Sequence, residues 1–88
     1  PTMTKGHYYF NRSVRGYDFE DAGTNKRDAI RQGRELAVAL RHSVQIWQAR
    51  PVEGLPDRLG RYYVGSLEYP YYLSTACTIT ASDITVNI

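Results

Sequence analysis

The sequence predicts an α+β fold in two layers, with one helix packed on an antiparallel or mixed sheet of four to six strands. The predicted order is one or two strands, the helix, then three or four more strands. Three observations carry this reading. The chain has 88 residues, 42% of them hydrophobic and 23% charged, which suffices for one core and is too short for two. One segment repeats its apolar residues at helical spacing behind a capping residue. The other segments alternate apolar and polar residues or are rich in Tyr, Val, Ile and Thr, and Gly and Pro punctuate them. Residues 1–88 therefore read as a single small domain.

From His7 to Val14 the alternation places Tyr8, Phe10 and Val14 on one side and His7, Tyr9, Asn11 and Ser13 on the other, a first strand. Arg15 and Gly16 supply a tight turn into a short return strand at Tyr17 to Glu20, and Asp21, Ala22 and Gly23 end it. Thr24 or Asn25 then caps a helix from about Asn25 to His42, because a side-chain oxygen there accepts from the first unpaired backbone N–H groups. Asp28 adds favourable charge near the positive end. Ala29, Ile30, Gly33, Leu36, Ala37 and Leu40 fall in one arc and form the core-facing stripe. Gly33 costs about 1 kcal/mol of helix propensity against alanine, so its mid-helix position predicts close approach of backbone from beneath.

Val44 to Arg50 is a further strand, with Val44 and Ile46 on one face and Gln45, Trp47 and Ala49 on the other. Pro51 ends it. Pro51 to Gly60, with its prolines and glycines and no periodicity, reads as a long surface loop. Arg61 to Glu68 and Tyr71 to Thr80 read as a hairpin joined near Tyr69 and Pro70, and Ile84 to Ile88 as a final pairing strand. One helix covers one sheet face, which leaves the other to solvent, to loops or to a binding partner.

A net charge of +2 is ordinary for solubility and unlike a basic nucleic-acid-binding arm. The longest apolar run, Ala37 to Leu40, is far short of the roughly 20 residues of a membrane span, and no basic-then-apolar leader opens the chain. A lone Cys77 closes no internal disulfide, so a reducing, cytoplasmic setting is expected, with no membrane partner. His7 and His42 fall on separate elements without metal-ligand spacing, and Cys77 has no basic neighbour in sequence to activate it. Asp18, Glu20 and Asp21 offer too few oxygens for a hard cation and read as a solvated turn before the helix. There is no phosphate loop, dinucleotide fingerprint, nucleophile elbow or zinc pattern. The expectation is a protein that is not an enzyme, with no catalytic residues, no metal and no cofactor.

Eight of the eleven aromatic residues are tyrosines. Alternation sends one member of each adjacent pair, Tyr62/Tyr63 and Tyr71/Tyr72, to the face away from the helix, where Trp47 also points. Trp47, Tyr62, Tyr63, Tyr69, Tyr71 and Tyr72 are thus candidate partner contacts, since exposed Trp and Tyr bury large area at low entropic cost while keeping a hydrogen bond. The competing reading buries Trp47 beneath a folded-over 51–60 loop. A basic helix stripe is the second candidate: Arg27, Arg34 and Arg41 are spaced by seven with Arg31 close by. Guanidinium forks suit phosphates and acidic protein surfaces alike. Asp28 and Glu35 partly neutralise Arg31, so a solvated face explains the row as well.

Tyr62, Tyr63, Val64, Gly65, Ser66 and Leu67 resemble the first-strand motif of RNA-recognition-motif domains, but too few residues follow for the two helices and three strands that family requires. The whole chain is similar in type to the small proteins that phages encode to disable host defences, anti-CRISPR proteins among them. The likeness lies in the order strand, acidic turn, short amphipathic helix and further strands, with many tyrosines and arginines. That resemblance implies a non-enzymatic inhibitor that blocks a host defence complex by steric occlusion of its surface or nucleic-acid site. The implied partner is a host protein or ribonucleoprotein complex. The alternative is a nucleic-acid binder using Arg27, Arg31, Arg34 and Arg41 with stacking by the sheet aromatics. A homodimer pairing its tyrosine face or its C-terminal strand is compatible with both.

Overall fold

Asn25 starts the helix as its side chain dictates. Its backbone is extended, with φ −99° and ψ 115°, and its Oδ1 accepts from the Asp28 amide at 2.9 Å. The computed structural model describes residues 3–69 and 84–87. They form β1 (Tyr8–Asn11), β2 (Phe19–Asp21), α1 (Lys26–Leu40), β3 (Val44–Val52), β4 (Leu55–Leu67) and β5 (Ile84–Asn87). The strands make one sheet in the order β2-β1-β3-β4-β5 with every neighbouring pair antiparallel. With α1 packed on one face, the architecture is the α+β type that the sequence predicts.

The helix stripe lands on the sheet. Ala29, Gly33 and Ala37 are buried, and Ile30, Leu36 and Leu40 pack against a core containing Phe10, Val44, Ile46, Val64 and Leu67. At Gly33 the close approach comes from side chains and not from backbone: a Cβ there would run into Leu67 Cδ1 and lie 3.0 Å from Phe10 Cε1. The helix ends earlier than His42 because Arg41 takes the left-handed conformation, with φ 58°, that closes a helix C-terminus.

The expected 51–60 loop is instead the outer part of a long hairpin. β3 continues through Pro51 to Val52, Glu53 and Gly54 reverse the chain, and β4 begins at Leu55. Gly54 has φ +79°, which a side chain would resist. Val52 pairs with Leu55 but Pro51 with Leu59, so Pro56, Asp57 and Arg58 stand outside the register. That bulge places Pro56, which has no N–H to donate, where the ladder needs none. The expected partner of Arg61–Glu68 at Tyr71–Thr80 lies outside the described residues. Within them β4 pairs with β3, and Leu59 to Tyr62 pair with β5, the expected C-terminal strand.

The return strand covers Phe19–Asp21 and not Tyr17–Glu20, and β1 stops at Asn11. Arg15 and Gly16 form no tight turn, because residues 12–18 make a wider loop organised around the buried Asn11 side chain. A second bulge decides which face each β4 residue takes. Ile46 pairs with Gly65 but Trp47 with Tyr63, so Val64 is the extra residue. Strict alternation back from the buried Leu67 would point Tyr62 away from the helix; the bulge turns Tyr63 there and Tyr62 inward.

Candidate functional site

The sheet face opposite α1 carries a run of aromatic rings drawn from three strands and a loop. Asn11 pairs with Phe19 and with Gln45, Tyr9 pairs with Trp47, and Trp47 pairs with Tyr63, so these side chains share one face. Trp47 meets Tyr63 edge-on at 5.4 Å between ring centres, and meets Phe19 at 6.4 Å and Tyr17 at 6.3 Å in the same fashion. Tyr17 and Phe19 stack at 5.6 Å with their planes 16° apart. These are favourable offset and edge-to-face arrangements. Beside them Met3, Tyr9 and Ala49 form a small buried cluster against Phe19.

Arg61 completes the group. Its guanidinium lies 4.9 Å from the Tyr17 ring centre and 5.0 Å from that of Phe19, within cation–π range of both. Ala49, its register partner on β3, is fully buried and small, which leaves room for the arginine stem to cross the face.

Loop 12–18 brings Tyr17 to this face, and Asn11 holds the loop. Asn11 Nδ2 donates to the Gly16 carbonyl at 3.0 Å and to Gln45 Oε1 at 3.1 Å, and Oδ1 accepts from the amides of Asp18 at 3.0 Å and Ser13 at 3.2 Å. The carboxamide thus uses its whole donor and acceptor capacity, which is what lets it lie only 3% exposed. Gln45 Oε1 also accepts from Trp47 Nε1 at 3.2 Å. The same loop and the turn between α1 and β3 border an open groove of about 540 Å³, lined by Ser13, Arg15, Tyr17, His42, Gln45 and Ser66 among others.

The residues singled out in the sequence divide. Trp47 faces away from the helix as expected but is buried against Tyr17, Phe19 and Tyr63, while residues 51–60 belong to the β3–β4 hairpin. It is the floor of the site. Tyr63 is partly exposed on this face. Tyr62 is not part of it: the ring is buried on the helix side, its hydroxyl donates to the Pro51 carbonyl at 3.1 Å and the Arg50 guanidinium covers it at 4.8 Å. Tyr69 is exposed past the end of β4, with its amide donating to Ser43 Oγ at 3.1 Å. Tyr71, Tyr72 and Cys77 lie outside the described residues. Arg27, Arg31 and Arg34 gather with Lys26 and Ile30 around a shallow concavity of about 570 Å³ on α1, and Arg31 Nη2 is 4.0 Å from Asp28 Oδ1. Arg41 leaves that row, since its left-handed backbone ends the helical phase.

Tyr17, Phe19, Arg61 and Asn11 are the residues that the sequence reading passed over. The alternation of Tyr17 with Phe19 at the expected return strand is the available signal for two of them. The acidic residues of this region are engaged locally. Asp21 accepts from the Gly23 amide at 2.7 Å and lies 2.9 Å from His7 Nδ1; the Gly23 amide chiefly, with the His7 ring adding to it, holds its carboxyl below the ordinary value against the opposing effect of burial. Glu20 lies 3.8 Å from Arg12. No group of three or more metal-ligating side chains occurs among the described residues, and no helix there is long and apolar enough to cross a membrane. Compared with known protein families, with curated proteins and with solved structures, the chain matches none of them.

Proposed function

We propose that the protein is a non-enzymatic protein-binding module that blocks a host defence complex, of the anti-CRISPR type, by steric occlusion through the sheet face opposite its helix. One observation carries this reading: a contiguous aromatic group, Tyr17, Phe19, Trp47 and Tyr63, rests on an antiparallel sheet, and its outermost ring, Tyr17, is 62% exposed. Rings already packed on one another lose little entropy on binding, and aromatic anchors with a polar rim typify interface centres. The rim here is Arg61, Gln45 and the loop around Arg15. Occlusion asks no chemistry of these residues, only area and fit.

Plaquing of phage on a host with an active defence complex tests the reading. Expression of the wild-type chain raises plaque counts, and Tyr17→Ala combined with Tyr63→Ala, in a chain whose circular dichroism is unchanged, removes the rise. Plaque counts unaffected by the wild-type chain across defence-bearing hosts overturn it.

A second reading rests on the gathering of Lys26, Arg27, Arg31 and Arg34 around one concavity of α1. It makes the helix a nucleic-acid contact, with affinity falling steeply as salt rises. Binding of an oligonucleotide that is lost in the Arg27→Ala, Arg31→Ala pair supports it, and a flat salt response removes it.

A further inference from the structure

We infer that Arg61 is a clamp for a single carboxylate, an Asp or Glu side chain on the protein that the aromatic face binds; this rests on the protein-binding reading above. Arg61 stands in the middle of the sheet, paired with Ala49 on β3 and with Thr85 on β5. Two mutually stacked rings, Tyr17 and Phe19, lie 4.9 and 5.0 Å from its guanidinium, so the fork is drawn onto the aromatic face before any ligand arrives. Its Nε is buried and has no hydrogen-bond acceptor, and among the described residues no carboxylate pairs with it. Elsewhere, His7 pairs with Asp21, Arg12 with Glu20 and Arg31 with Asp28. A partly desolvated cation held against two rings is suited to receive an anion at the Nη end of its fork, which unlike Nε is not buried, and the two oxygens of a carboxylate match the parallel N–H groups there.

The surroundings select one carboxylate over a polyanion. Asp21 shares this face with Phe19 at the edge of the sheet, and Asp18 and Glu20 flank Phe19 in sequence, so a phosphate backbone crossing this edge would meet negative charge. The cations suited to a polyanion, Lys26, Arg27, Arg31 and Arg34, lie on α1 on the other side of the sheet. A lone Asp or Glu flanked by apolar residues fits both the aromatic floor and the single guanidinium.

The test is a side-chain arginine NMR titration of the full chain with three probes: an N-acetylated, C-amidated peptide holding one Glu between leucines, its Gln counterpart, and a dodecathymidine oligonucleotide. The Glu peptide is expected to move the Arg61 Nε–H resonance and the Trp47 indole. The Gln peptide and Arg61→Gln each weaken binding about tenfold or more, the usual scale for a lost charge-assisted hydrogen bond. Equal shifts with Glu and Gln peptides, no shift with either, or a shift only with the oligonucleotide overturns the clamp. Arg61→Lys, which keeps charge and stem but not the fork, recovers part of the affinity if the clamp is correct. The two readings fail separately. If Tyr17→Ala with Tyr63→Ala abolishes phage protection while Arg61→Gln retains it in full, the clamp falls and occlusion stands. If the Glu peptide binds at Arg61 but the wild-type chain protects no phage, occlusion falls and the clamp stands.

Discussion

Asn11 donates to Gln45 through a 3.1 Å hydrogen bond, and Gln45 in turn accepts from Trp47, so a polar relay runs from the carbonyl of Gly16 to the floor of the aromatic face. Asn11 also satisfies the amides of Ser13 and Asp18. Replacing it with alanine strands several of these groups at once. Asn11→Ala is expected to cost about 2 to 3 kcal/mol, more than an average surface change, because unmet buried polar groups bear most of the penalty. Urea unfolding measures the loss. The single tryptophan reports the local effect: its emission shifts to the red and acrylamide quenches it more readily as Tyr17 leaves. An unshifted spectrum with full stability contradicts this role for Asn11.

Gly33 sets up an opposition between local and tertiary preference. Alanine gains about 1 kcal/mol of helix propensity, yet its Cβ meets Leu67, which is fully buried, and Phe10 at 3.0 Å. Overpacking wins, and Gly33→Ala is expected to be destabilising by about 1 to 2 kcal/mol. The double variant Gly33→Ala, Leu67→Val should be less destabilised than the sum of its parts, since the two sites share one volume. Additive losses would place the cost elsewhere.

Arg41 offers the reverse effect. With φ 58° it pays for a left-handed backbone that glycine adopts without strain. Arg41→Gly is therefore expected to raise stability by about 0.5 to 1 kcal/mol, read as a higher thermal midpoint. A lower midpoint would mean that the arginine side chain contributes more than its backbone costs.

Asp21 gives the pH dependence. Its carboxyl is held below the ordinary value of 3.8, chiefly by the Gly23 amide. Its contribution to stability is accordingly complete above that value and disappears as pH falls through the lower folded-state value. The side chain is half exposed, which limits the effect to under about 1 kcal/mol. Thermal midpoints of the wild type and Asp21→Asn should differ at pH 6 and converge toward pH 2. A gap that widens on acidification contradicts the assignment.

Most of the helix is legible because its signals are local, a capping Asn25 and an apolar stripe, whereas its end at Leu40 rests on the left-handed backbone of Arg41, which no spacing shows. The sheet was legible only in part. Pro51, Pro56 and Gly54 carry the composition of a loop, and only the register between β3 and β4 reveals a hairpin whose bulge absorbs Pro56. Likewise, period-two alternation assigns Tyr62 and Tyr63 to opposite faces but cannot say which goes where, because one extra residue at Val64 inverts the answer. The site shared this limit. Trp47 falls on the expected face and Phe19 in the expected return strand, whereas the reach of Arg61 from β4 to Tyr17 and Phe19 is encoded by no sequence spacing.

Photo-crosslinking tests most directly which face acts. Benzoylphenylalanine is placed at position 17, on the aromatic face, or at position 31, on the helix, and the chain is expressed in a host with an active defence complex. Position 17 is expected to give protein adducts that survive nuclease treatment and contain a subunit of that complex. Adducts confined to position 31, and abolished by nuclease, would contradict it.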